Sequence, residues 1–108
     1  LLIAKAHKIH DRLEQSAQLG RLIDKDASDV YLLMRNLGAE DAKATVGRLL
    51  ADPVSADATQ TGLRYLADQF GTRRADGVEM AIRALAAGQR EEGRIRSVCT
   101  TFMDSLVA

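Results

Sequence analysis

Tryptophan is missing from this chain, proline and cysteine occur once each, and Phe and Tyr together make up only 4% of the 108 residues. Each shortage excludes something. A single cysteine, Cys99, cannot build an internal disulfide framework or a zinc ribbon, so the chain reads as made for a reducing cytosol, and a cytoplasmic location is expected. So few aromatics leave no stacking platform of the kind that RNA-binding sheets present. No apolar run approaches the roughly 20 residues that cross a bilayer, so no membrane partner is expected. Neither sign of charge is in excess: 15 Lys and Arg stand against 15 Asp and Glu. Bulk attraction to nucleic acid or to anionic lipid is therefore not indicated.

What remains is a globular composition, 46% hydrophobic and 28% charged, long enough for one domain and too short for two. The chain opens Leu1-Leu2-Ile3-Ala4 without a capping residue, and Lys5, His7 and Lys8 interrupt that apolar stretch. This is not the pattern of a signal peptide. It reads as a helix joined in mid-course, so the chain is expected to be the C-terminal part of a longer protein. Leu1, Leu2 and Ile3 would then pack on an upstream domain, or else on a second copy in a homo-oligomer.

Apolar residues recur at intervals of three and four, with no alternating stretch and no hairpin signal. Leu2, Ala6, Ile9 and Leu13 form one stripe, Val30, Leu33, Met34 and Leu37 a second, and Val46, Leu49 and Leu50 a third. Leu63, Leu66 and Phe70 follow, then Val78, Ala81, Ile82 and Leu85, and finally Ile95, Val98, Cys99, Phe102 and Leu106. Gly20, Gly38, Gly71 and Gly88 fall just past stripes, where a left-handed helix end favours glycine. Asp24 or Asp26, and Ser55 or Asp57, suit helix starts. Asp52-Pro53 breaks the chain, because the residue before proline resists the helical region. The expectation is an all-α domain, a compact bundle of about six short antiparallel helices near 1–17, 25–37, 40–51, 56–70, 74–87 and 89–107. Ile9, Leu33, Leu49, Leu66, Phe70, Ile82, Val98 and Phe102 are expected inside.

Three groups of polar residues are candidates for chemistry. His7, His10, Asp11 and Glu14 share a helix face opposite the apolar stripe, at a spacing that suits zinc or, more simply, a solvated surface. Asp24-Lys25-Asp26-Ala27-Ser28-Asp29 places three carboxylates at a helix start. Capping and the helix dipole account for one or two of them but poorly for Asp29, which lies beside the second stripe. Asp26 and Asp29, three apart, could face a cleft together, with Lys5 one candidate partner. Arg73, Arg74, Arg83, Arg90, Arg94 and Arg96 form a basic group that acidic residues interleave, with Glu91 to Arg94 at helix-pair spacing. It reads as ordinary helix faces, or else as a phosphate- or RNA-binding surface. A helix-turn-helix around Gly71-Thr72 is disfavoured by Asp76 and Glu79 in the would-be recognition helix. Cys99, on an apolar stripe, reads as a buried small hydrophobe.

The stretch Leu2-Ile3-Ala4-Lys5-Ala6-His7-Lys8, then Arg12, then Asp24-Lys25-Asp26-Ala27-Ser28-Asp29-Val30-Tyr31, resembles the region after the catalytic sheet in AbiEii-type nucleotidyltransferases. These are DNA polymerase β-like proteins, many of them toxins of toxin–antitoxin systems. Asp68 to Gly71 and Gly77 to Leu85 resemble the helical tail of some members. The resemblance implies that Lys5 binds or orients nucleotide phosphates. It implies that Asp26 completes the active site with support from Asp29, and that Lys25 stands at a basic, nucleotide-binding position. The family's Gly-Ser turn and Asp-x-Asp pair, which hold magnesium, are absent from these 108 residues. The chain alone is therefore expected to be inactive. It would complete the cleft of an upstream catalytic domain that uses magnesium, a nucleoside triphosphate and a nucleic acid or protein acceptor. The alternative is a non-enzymatic helical interaction module. On the helical wheel Lys5 lies at the edge of its stripe, and a second helix beginning at Asp26 would aim its positive end at the same place. Lys5 is thus expected within a few ångströms of Asp26 or Asp29.

Overall fold

The computed structural model describes residues 1–15 and 20–107, with the side chains of Arg12, Glu14, Gln15 and residues 20–23 outside that description. The described residues form six helices and no strand: α1 Leu2–Gln15, α2 Gly20–Asn36, α3 Ala39–Ala51, α4 Ala56–Phe70, α5 Asp76–Ala84 and α6 Gln89–Val107. This is the all-α bundle that the apolar periodicity predicts. None of these helices is long and apolar enough to cross a membrane.

The helices form because each buries a stripe at helical spacing. Leu2, Ala6 and Ile9 are buried on α1, and Ala27, Val30, Tyr31 and Met34 on α2. Ile95, Cys99, Phe102, Met103 and Leu106 line the inner face of α6. Helix α2 lies at the centre, closest to α5 and also touching α1 and α6, while α1 fits between α2 and α4. Helix α3 is peripheral and buries only Ala42. This explains why Leu49, expected inside, is half-buried, as are Leu33, Ile82 and Val98, whereas Ile9, Leu66, Phe70 and Phe102 are buried. Phe70 is fully enclosed. Truncating such a ring to alanine costs about 3–5 kcal/mol. The radius of gyration, 13.4 Å, is that of a single packed unit of this length.

The helix ends depart from expectation in instructive ways. Gly20 is already helical and belongs to α2, so Asp26 lies inside α2 rather than at its start. Asp24 and Asp26 are not caps because their carboxylates are taken by cations on other helices: Arg83 holds Asp24, and Lys5 and Lys8 hold Asp26. The predicted first helix extends to residue 17, of which the last two positions lie outside the described residues.

No described glycine has a positive φ; Gly38 and Gly71 sit at −67° and −77°. The left-handed position is filled instead by Ala86, with φ 48°. There the Ala87 N–H donates to the Ile82 carbonyl and the Ala86 N–H to the Arg83 carbonyl, both at 3.2 Å. That pair of bonds closes α5 as a Schellman motif.

Ser55 precedes α4 without capping it. Its hydroxyl donates instead to the Leu49 carbonyl at 2.7 Å, tying off the last turn of α3. Asp52 is extended, with ψ 117°, as its place before Pro53 requires. At the N-terminus Leu1 is exposed, Ile3 is half-buried and Leu2 is buried. The apolar start is therefore covered in part by the chain's own helices, with Leu1 standing clear.

Candidate functional site

The α1–α2 interface brings charged groups together from more than twenty positions apart. Lys5 lies one position before the buried Ala6, so its stem runs along the seam and its ammonium emerges at the edge. Asp26 and Asp29, one turn apart on α2, meet it there. The Lys5 Nζ donates to Asp26 Oδ1 at 3.1 Å and to Asp29 Oδ2 at 3.0 Å. Lys8, one turn further along α1, donates to the same Asp26 oxygen at 3.3 Å. Lys25 donates to the same Asp29 oxygen at 3.4 Å. The result is a ladder of alternating charge, Lys8–Asp26–Lys5–Asp29–Lys25. The Ser28 hydroxyl donates to the Lys25 carbonyl at 2.7 Å, three positions back on the same helix.

Burial falls off from the middle of this ladder. The Asp26 side chain is 6% exposed, Lys5 20% and Lys25 73%. The bond to Asp29 and both carboxylate charges hold the Lys5 ammonium above its ordinary pKa, against a smaller opposing effect of burial. Burial pushes Asp29 upward, but the bonds and charges of Lys5 and Lys25 together outweigh it and hold the carboxyl below its ordinary value. Lys5 is consequently a fixed cation near neutrality, suited to holding an anion and not to acting as a base or nucleophile.

Lys5, Asp26 and Asp29 are thus brought together, with Lys25 at the rim. One expectation about this site needs correction. The positive end of a helix does not point here, because α2 is already helical at Gly20, six positions before Asp26. Asp26 is buried, so substitutions here also cost stability.

The other candidates are placed differently. His7 and His10 do not face solvent away from the stripe; they pack on α4, because α1 has a neighbour on two sides. The His7 Nε2 lies 2.8 Å from the Ala58 carbonyl oxygen, and its ring meets Tyr65 edge-on at 5.2 Å. The His10 ring stacks on Tyr65 at 3.7 Å with 8° between planes. Among the described residues no three His, Cys, Asp or Glu side chains converge as metal ligands, and the side chain of Glu14 lies outside the description.

The arginines are largely engaged within the fold. Arg83 forks onto Asp24 at 3.0 and 3.2 Å, and Arg94 stands 4.0 Å from Glu91. Arg96 is buried, bonds Glu79 and Glu92 at 2.5 and 2.8 Å, and also donates to the Arg73 carbonyl. Helix α5 buries Gly77, Val78, Met80 and Ala81, which ties it into the core rather than presenting it as a recognition helix. Cys99 is buried, and burial pushes its thiol up to about 12, far from a nucleophile's range.

Sequence reasoning missed Lys8, Tyr65 and the buried Arg96. Lys8 had a signal: it lies three positions from Lys5, so both can reach one partner. Arg96 had another, standing between Ile95 and Val98 at four from Glu92. Comparisons with protein-family models, curated proteins and solved structures give no match.

Proposed function

We propose that this all-α domain is the cleft-completing C-terminal part of an AbiEii-type nucleotidyltransferase. In this reading Lys5 holds nucleotide phosphates, Asp26 and Asp29 position it, and Lys25 adds a cation at the rim. The observation that supports the reading is the meeting of Lys5 with both aspartates, at 3.1 and 3.0 Å, from two stretches that the resemblance pairs. A lysine held charged between two carboxylates, with its side chain one-fifth exposed, suits an ion that must recognise phosphate without reacting with it. Magnesium belongs, in this reading, to the Asp-x-Asp pair of the catalytic domain, where it would activate the triphosphate for transfer to a nucleic acid or protein acceptor.

The test is nucleotide transfer by the intact protein with labelled nucleoside triphosphates. Lys5→Ala and Asp26→Ala should each abolish labelling while the protein remains folded by circular dichroism. Full activity in either variant, or the lack of a Gly-Ser turn and Asp-x-Asp pair in the intact protein, overturns the reading.

One observation favours the second reading, a non-enzymatic interaction module. An open apolar groove of about 390 Å³ runs between α2 and α6, lined by Met34, Leu37, Val98 and Phe102. Light scattering across a concentration series tests whether a second copy covers it.

A further inference from the structure

Lys8 stands outside the residues to which the resemblance gives a role, yet its ammonium converges on the same carboxylate oxygen as Lys5. The two lysines reach Asp26 Oδ1 at 3.3 and 3.1 Å, and Lys5 and Lys25 reach Asp29 Oδ2 at 3.0 and 3.4 Å. Three ammonium groups and two carboxylates therefore alternate in one row, with one positive charge in excess among the five. No more than two ion-pair lengths separate neighbouring ammoniums. Lys5 uses two of its three N–H donors on the aspartates, whereas Lys8 and Lys25 use one each. Lys8 is about half exposed and Lys25 more so, while Lys5 sits deeper between them. The remaining donors belong to neighbouring ammoniums of the α1–α2 seam, two of them on the more exposed side chains, Lys8 and Lys25.

We propose that Lys8, Lys5 and Lys25 form a three-lysine cradle for the triphosphate tail of a nucleotide, with Lys8 a further phosphate-binding residue. The proposal rests on the nucleotidyltransferase reading and adds to it a further phosphate-binding residue, Lys8. A row of phosphoryl groups offers anionic oxygens at close intervals, matching three cations held close together by shared carboxylates. An extended nucleic acid backbone spreads its charges over a longer track and would need basic groups beyond this row. The aspartates keep the ammoniums ordered and charged before the ligand arrives, which lowers the entropic cost of holding three flexible lysines for one ligand.

The probe is inorganic tripolyphosphate, titrated calorimetrically into the 108-residue chain at low salt. Lys8→Gln should weaken binding about tenfold, the effect of losing one charge-assisted contact. Lys8→Arg should restore most of the affinity. Arg48→Gln, which removes an equal charge from the exposed face of α3, should leave it within about twofold. Thermal melts of each variant confirm that the fold is kept, and Lys8→Arg distinguishes loss of charge from loss of structure. Affinity unchanged by Lys8→Gln but abolished by Lys5→Gln overturns the role of Lys8 and leaves the proposed function standing. Wild-type chain that ignores tripolyphosphate, or that prefers single-stranded RNA of matched charge, overturns the cradle. Failure of the transfer assay alongside Lys8-dependent tripolyphosphate binding overturns the nucleotidyltransferase reading alone.

Discussion

Arg96 on α6 and Glu79 on α5 meet at 2.5 Å, and the same guanidinium holds Glu92 one turn earlier on its own helix and the carbonyl of Arg73 in the α4–α5 connection. One buried side chain thereby fastens three segments. Arg96→Ala removes all three contacts and leaves two partly exposed carboxylates facing each other. Glu79→Gln removes a single charge and keeps a neutral acceptor in place. Arg96→Ala should therefore lower the thermal midpoint by more than Glu79→Gln or Glu92→Gln does alone, as differential scanning calorimetry would show. Equal midpoints for the three variants would mean that Arg96 is a surface ion pair and not a fastener.

Glu79 and Asp29 give the fold an acid limit. The bond from Arg96 holds Glu79 below its ordinary 4.5. Asp29 lies below its ordinary 3.8: burial pushes it up, and Lys5 and Lys25 together overcome that push. Both folded values are depressed, so the stability they contribute is present above the ordinary values and is lost as pH falls through them toward the folded ones. Lys5 behaves oppositely. Its folded value is raised above 10.5, first by the Asp29 bond, so its contribution is complete below 10.5 and lost as pH rises through the folded value. Urea midpoints should stay level between about pH 5 and about pH 10 with respect to these groups and fall on the acid side. Glu79→Gln should make the acid limb shallower, and an unchanged limb would dismiss that pair as its source.

The periodic part of this fold was legible because apolar spacing is set by the helix itself. Ile9, Leu66, Phe70 and Phe102 are buried where their stripes put them. The ends were less legible because caps are decided by competition. Asp26 has the chemistry of a cap, but Lys5 and Lys8 across the seam take its carboxylate, and α2 is already helical six positions earlier at Gly20. Gly88 looked like the end of α5, yet Ala86 carries the left-handed turn. For the site, the pairing of Lys5 with Asp26 and Asp29 was legible from spacing and resemblance together. Lys8 was passed over as an exposed position, although its spacing of three from Lys5 put it within reach of the same carboxylate. The histidines were misplaced because α1 has a second packing face, against α4, that no single stripe revealed: a helix with two neighbours has no fully solvated back.

Two glycines inside helices should respond to alanine with opposite signs. Nothing lies within 4 Å of the place where a Gly47 Cβ would stand on α3. Gly47→Ala should therefore raise stability by about 0.5–1 kcal/mol from helix propensity alone. At Gly62 the added Cβ would lie 2.5 Å from Ile3 Cγ2 and 3.2 Å from the His7 ring, where α4 approaches α1 most closely. The same propensity gain is then set against about 1–3 kcal/mol of overpacking, so Gly62→Ala should destabilise by about 1 kcal/mol. Denaturant melts of the two variants decide this, and equal stabilisation by both would show that α1 can move off α4 freely.

The Lys5–Asp26 pair should show an asymmetry that a surface salt bridge lacks. Asp26→Asn leaves Lys5 bonded to Asp29 at 3.0 Å and partly solvated, so the cost should be about 1–2 kcal/mol. Lys5→Met keeps the packing of the stem but takes the cation at 3.1 Å from the buried Asp26 carboxylate, with Lys8 still at 3.3 Å. That should cost more, about 2–3 kcal/mol, because a buried charge has lost a counter-ion. The double variant removes both the stranded charge and the pair, so its cost should fall short of the sum by about 1 kcal/mol or more. A strictly additive cycle, or equal single costs below about 0.5 kcal/mol, would place the pair among ordinary exposed ion pairs. The cycle bears on function as well: loss of nucleotide transfer in a Lys5 or Asp26 variant counts as loss of a phosphate contact only at temperatures where that variant's own melt shows it folded.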